Sequence, residues 1–80
     1  MNATQCRMAR AALQIRLSDV AKLAKVATST VARLEAGDEL KPRTVEAVQR
    51  AFEAQGLEFV GGDAPGVLLH KGAVRRKKKP

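Results

Sequence analysis

Few side chains in this sequence are equipped for covalent chemistry, and those few do not cluster. There is one cysteine, Cys6, and one histidine, His70, near opposite ends of the chain, and neither is accompanied by a pair of acids or a glycine-rich phosphate loop. An enzyme must bring a nucleophile, a base and an oxyanion-stabilising group together, so no enzymatic activity is expected. Cys6 falls on an apolar stripe, where a thiol behaves as a small hydrophobe. No Cys/His set has zinc-ligand spacing, so neither a metal nor another cofactor is expected. The chemistry on offer is non-covalent. Val26, Val31 and Leu34 recur at helical spacing and leave Thr28, Ser29, Ala32 and Arg33 on the other side. Two hydroxyls and a guanidinium beside small neighbours form a surface able to give and accept hydrogen bonds while carrying positive charge.

At 80 residues the chain has room for one core that is only just adequate. A lone cysteine cannot make an internal disulfide, so a partner subunit is the expected support. Fifteen Lys and Arg against eight Asp and Glu give +7, but Arg75, Arg76, Lys77, Lys78 and Lys79 supply five of those charges. Residues 1–74 therefore carry ten positive and eight negative charges, a net of +2. A terminal basic run is either a solvated, disordered end or a contact to a polyanion. No apolar run approaches the roughly 20 residues of a membrane span, and a soluble protein is expected. The first 18 residues hold Arg7, Arg10 and Arg16 and no acid. That composition suits a transit peptide as well as a helix facing phosphates; the second reading is preferred because the segment completes the fold that follows it.

The elements that must position these residues can be read from apolar spacing. Cys6, Ala9 and Leu13 mark a half-buried helix over residues 3–13, with Arg7, Arg10 and Gln14 beside the stripe. Leu17, Val20, Ala21 and Ala24 repeat the pattern, and Ser18 and Asp19 stand in the first turn, where the helix dipole favours oxygen acceptors. A third helix runs from Thr28 to Ala36 and is closed by Gly37. A fourth opens at Pro42 and Thr44, keeps Val45, Val48, Ala51 and Phe52 on one face, and ends at Gly56. "LEFV" and "VLLH" flank "GGDAPG" as two β-prone runs around a wide turn. An isolated hairpin is marginal in water and its open edge invites another chain. Residues 57–71 are therefore expected to pair or exchange strands with a second subunit through Leu57, Phe59, Val60, Val67, Leu68 and Leu69; the alternative is a loosely ordered extension lying on its own helices.

Two short helices joined by a three- or four-residue turn form a helix-turn-helix unit, in which the second helix offers its N-terminal residues to the major groove. The helices must cross at a small residue, and Ala21 lies five positions before Val26. From Gln5 through "LSDVAKLAKVATSTVARLEAG" to "KPRTVEAVQRAFEAQG", the sequence resembles the bacterial and phage Cro/CI-type repressors, also called the xenobiotic-response-element type. The closing "VARLEAG" followed by "KPRT" is the part most specific to that family.

The resemblance implies a mainly α fold with a four-helix Cro/CI-type DNA-binding domain over residues 1–56; composition and the β-prone runs add a β-hairpin or strand pair over 57–71, read as dimerising, and a basic disordered tail over 72–80. The resemblance also implies that Thr28, Ser29 and Arg33 read bases, with Thr28 and Ser29 alternatively serving as helix caps. An arginine can contact guanine through two hydrogen bonds, worth about 1–3 kcal/mol of discrimination. It places phosphate contacts at Lys41, Arg43 and the Thr44 hydroxyl or amide, and at the amides around Leu17. Arg10 and Glu35 match a partly buried salt bridge of the family, with a phosphate contact as a further role for Arg10. The sequence departs from the family where glycine is usual, at Gln14 and Lys25, and where hydroxyl caps are usual, at Arg16 and Ala27. It also has Leu17 in place of a common glutamine.

The function this predicts is a dimeric bacterial repressor, cytoplasmic and nucleoid-associated, that binds an inverted repeat in double-stranded DNA and has no small-molecule ligand. An antagonist protein could control it. The alternatives are an antitoxin with the same fold and a protein-interaction module. If the tail lies along phosphates, deleting residues 73–80 will flatten the slope of log affinity against log salt by roughly four units, at about 0.9 per phosphate neutralised, and leave sequence preference unchanged. An unchanged slope would reduce the tail to an aid to solubility.

Overall fold

The ends of the helices explain most of the architecture. A computed structural model describes residues 1–70. It contains α1 (Ala3–Leu13), α2 (Leu17–Ala24), α3 (Thr28–Glu35), α4 (Pro42–Ala54), β1 (Leu57–Val60) and β2 (Gly66–Leu69). Lys71, the last residue of the expected hairpin segment, and the basic tail lie outside the described residues. The first helix starts at Asn2, whose side chain accepts the Gln5 amide at 2.8 Å while the Gln5 side chain accepts the Asn2 amide at 2.9 Å. This reciprocal capping box satisfies two amides the helix itself cannot.

Each of the first three helices stops in the same manner. The chain turns left-handed, and two amides beyond the helix reach back to its last turn in a Schellman arrangement. At α1 the Ile15 amide donates to Arg10 O at 3.3 Å, at α2 the Val26 amide to Ala21 O at 3.0 Å, and at α3 the Asp38 amide to Arg33 O at 3.0 Å. Gly37 makes the third turn with φ of 95°, but Gln14 and Lys25 make the other two with φ of 56° and 60°. These non-glycine residues occupy a region that crowds Cβ against the backbone. The third helix is one residue shorter than its spacing suggested, because Ala36 is already the cap that leads into Gly37.

The core is assembled from all four helices and the first strand. Cys6, Ala9, Val20, Val31, Val48 and Phe52 are fully buried, with Ala21, Leu34 and Leu57 nearly so. Leu13, Leu17, Ala24, Val26 and Val45 pack around them, half-buried. β1 and β2 pair antiparallel with Leu57 opposite Leu69 and Val60 opposite Gly66. The second strand thus begins one residue earlier than expected. His70 adds one more ladder bond by donating its amide to Gly56 O at 2.7 Å.

The six apolar residues of the hairpin divide between an inner face, packed on the helices, and an outer one. The hairpin lies on the chain's own helices as an antiparallel strand pair. Leu57 is 3% exposed and belongs to the core. Phe59 and Val67 pack against that core, and the Phe59 ring meets Phe52 edge-on at 6.1 Å between centroids. Val60 is half-buried, and its carbonyl accepts the Gln5 side-chain amide at 2.5 Å, which also donates to Gly66 O at 3.0 Å. One buried amide thereby closes the turn end of the hairpin onto α1. Of the six, only Leu68 and Leu69 are exposed, at 49% and 38%. An amphipathic hairpin gains as much by covering a neighbouring helix of its own chain as by covering a partner.

The left-handed residues provide a direct test. Gln14→Gly and Lys25→Gly should each raise stability by about 0.5–1 kcal/mol, seen as a higher urea midpoint by circular dichroism. An unchanged or lower midpoint would show that neither position carries backbone strain.

Candidate nucleic-acid interface

The second and third helices set the geometry of the candidate surface. They meet at Ala21, which is 5% exposed and leaves no bulk at the crossing. The linking residues are pinned by the Val26 amide on Ala21 O and by the half-buried Val26 side chain, which packs on the core. Val31, Leu34 and Glu35 face inward from α3. Thr28, Ser29, Ala32 and Arg33 are exposed. One side of this eight-residue helix is thus spent on packing, and the other is free of it.

The N-terminus of α3 is open. Ala27 is the cap residue and no side chain hydrogen-bonds to this end of the helix. The first amide to enter the helical ladder is that of Thr30, which donates to Ala27 O at 3.0 Å, so the amides of residues 28 and 29 lie ahead of the helix's own bonding pattern. Neither Thr28 nor Ser29 acts as the cap. Their hydroxyls stand on an exposed helix face beside partially positive amides.

The positions implied for phosphate contact differ in what they can still offer. Lys41 and Arg43 are exposed and flank Pro42, the first residue of α4. Thr44 is half-buried, and its amide already donates to Lys41 O at 2.9 Å, which leaves the hydroxyl for any further contact. Leu17 is the first residue of α2 and its side chain is half-buried. The preceding Arg16 amide donates to the Asp19 carboxylate at 2.9 Å, and the Arg16 guanidinium lies 3.6 Å from the same group. That amide, ahead of the nearby positive charge, holds the Asp19 carboxyl below its ordinary range. Among the described residues, ion pairs link Arg10 to Glu35, Arg16 to Asp19 and Arg33 to Asp38. From 17 to 44 this leaves Lys22, Lys25, Lys41 and Arg43 against Glu39.

Arg10 and Glu35 join in a bidentate pair, Nε to Oε2 at 2.7 Å and Nη2 to Oε1 at 3.0 Å. Nη1 donates to Ile15 O at 3.3 Å. All three guanidinium nitrogens are engaged within the protein, so the geometry favours the structural role for Arg10 over a phosphate contact. Glu35 is 8% exposed, and a buried carboxylate needs such a partner. Its backbone carbonyl accepts a further hydrogen bond from Arg7 Nη1, while Arg7 Nη2 donates to Thr4 Oγ1 at 3.2 Å. Arg7 had no assigned role in the sequence reading; its position one turn before Arg10 on α1 is the signal that could have found it. The Cys6 thiol lies 3.9 Å from Glu35 Oε2. Burial, and secondarily the adjacent carboxylate, push its pKa up to about 12, so this thiol is held protonated.

Arg33 also has a partner that residue spacing did not suggest. Its Nε donates to Asp38 Oδ2 at 3.1 Å, with both side chains more than half accessible or close to it, at 60% and 50%. His70, by contrast, faces Glu58 across the hairpin at 2.9 Å and takes no part in this surface.

Glu35→Gln should cost about 2–3 kcal/mol in urea unfolding, because it strands a partly buried guanidinium. Replacing both partners, as Arg10→Met with Glu35→Leu, should cost less than the single change. Equal or additive losses would remove the pair from its structural role. No protein-family model matches this chain, and no curated protein matches it either.

Proposed function

We propose that the protein is a sequence-specific double-stranded DNA-binding transcriptional regulator of the Cro/CI-like helix-turn-helix type, acting as a homodimeric repressor. The observation that carries this reading is the split character of α3. Val31, Leu34 and Glu35 hold it from behind, while Thr28, Ser29 and Arg33 are exposed on a face with an uncapped N-terminus. A helix so presented matches the dimensions of the major groove, and its residue types match the donors and acceptors of base edges.

In this reading α3 lies in the major groove with Thr28, Ser29 and Arg33 toward the bases. Lys41, Arg43, the Thr44 hydroxyl and the α2 amides near Leu17 grip the flanking phosphates and set the register. Leu68 and Leu69 remain available to a second subunit. Two copies would then read half-sites about 10 base pairs apart, or a multiple of a turn. Binding over a promoter represses it by occlusion.

Selection from a randomised duplex pool, followed by footprinting on the selected site, tests the reading. A symmetric protected site whose affinity falls steeply with salt is the expected result, and Arg33→Ala should relax preference at one base pair per half-site by about tenfold. Failure to select any sequence at low salt would overturn it.

A further inference from the structure

The geometry points to Asp38 as a specificity-determining residue that positions Arg33 for a guanine edge, an inference that rests on the base-reading role proposed for α3. The two residues are bound twice. The Asp38 amide donates to Arg33 O at 3.0 Å as part of the turn at Gly37, so the backbone itself brings residue 38 back beside residue 33. The Asp38 carboxylate then takes Arg33 Nε at 3.1 Å. Nε is the inner nitrogen of the guanidinium. Holding it leaves Nη1 and Nη2, the terminal pair, with no protein acceptor among the described residues. Such a pair can donate in parallel to guanine O6 and N7.

Two consequences follow for recognition. A long side chain normally loses rotamer freedom when it docks, and one already oriented by a carboxylate loses less. The carboxylate also discriminates. It is half exposed and would be pressed toward a negatively charged duplex, so its repulsion is offset only where Arg33 finds two acceptors. Favourable contact with one base and penalty against the rest together make specificity. An exposed ion pair adds little to folding, so loss of Asp38 should leave stability unchanged.

The test compares wild type, Asp38→Ala, Asp38→Asn, Arg33→Ala and the double variant Arg33→Ala/Asp38→Ala on the duplex selected by wild type. Single base-pair changes and 7-deazaguanine substitution probe each position, with circular dichroism melting as the folding control. Asp38→Ala should reduce discrimination on the order of fivefold at the same base pair that Arg33→Ala relaxes, and the double variant should match Arg33→Ala alone. Asp38→Asn keeps an acceptor for Nε and should retain most of the discrimination. If Asp38→Ala and Asp38→Asn instead tighten binding equally on every duplex and leave discrimination intact, Asp38 is only a repulsive charge and the inference fails. Loss of discrimination at other base pairs, or additive effects in the double variant, would also overturn it. These outcomes differ from the failure of wild type to select any sequence, which removes the DNA-binding reading itself.

Discussion

Glu35 is the point at which the helical part of the molecule is tied together. It sits at the C-terminal end of α3 and has to be satisfied because it is buried. The ring of donors around it comes from α1: Arg10 on both carboxylate oxygens and Arg7 on the carbonyl. Arg10 in turn holds Ile15 O, which fixes the link into α2. One carboxylate therefore sets the angle between the first and third helices and the path into the second. The exposed face of α3 can be rigid because its buried face ends in a charge that accepts only one arrangement.

That constraint shows why the marginal helix ends are tolerated. Two left-handed turns are made without glycine, at Gln14 and Lys25, and three helices begin without a capping acceptor from the cap residue, at Arg16, Ala27 and Lys41. Each is a small local cost. The same turns point Ile15 and Val26 back into the core, where burial of their apolar side chains offsets it.

Most of the helical layout was legible in the sequence because it is a matter of spacing. Cys6 with Ala9, Val31 with Leu34, and Val48 with Phe52 recur at helical intervals and are all buried. Gly37, Pro42 and Gly56 mark boundaries through backbone preferences that hold in any context. Contacts between distant or irregular parts were not legible. Gln5 looks like a polar residue on a helix flank, yet it is buried because its partners are carbonyls 55 and 61 positions away. The choice between the hairpin's own helices and a second subunit could not be made from alternation, since both present an apolar surface. The pairing of Arg33 with Asp38 lies between these cases. Spacing of five on a helix separates two side chains, and only the reversal at Gly37 brings them together. The capping box at Asn2 could have been read from Asn followed by Gln three residues later.

The clasp by which Gln5 holds both sides of the hairpin mouth has a consequence for how the protein is made. Its donor belongs to the first turn of the first helix, and its acceptors to the two strands at the far end of the described chain. Synthesis delivers α1 long before those carbonyls exist. The early helices can form and meet as they emerge, but the final closure joins segments of large sequence separation and must wait for the hairpin to clear the ribosome. Until then Leu57 and Phe59 have no hairpin partner, and that interval is when a nascent chain of this kind most needs protection from its neighbours.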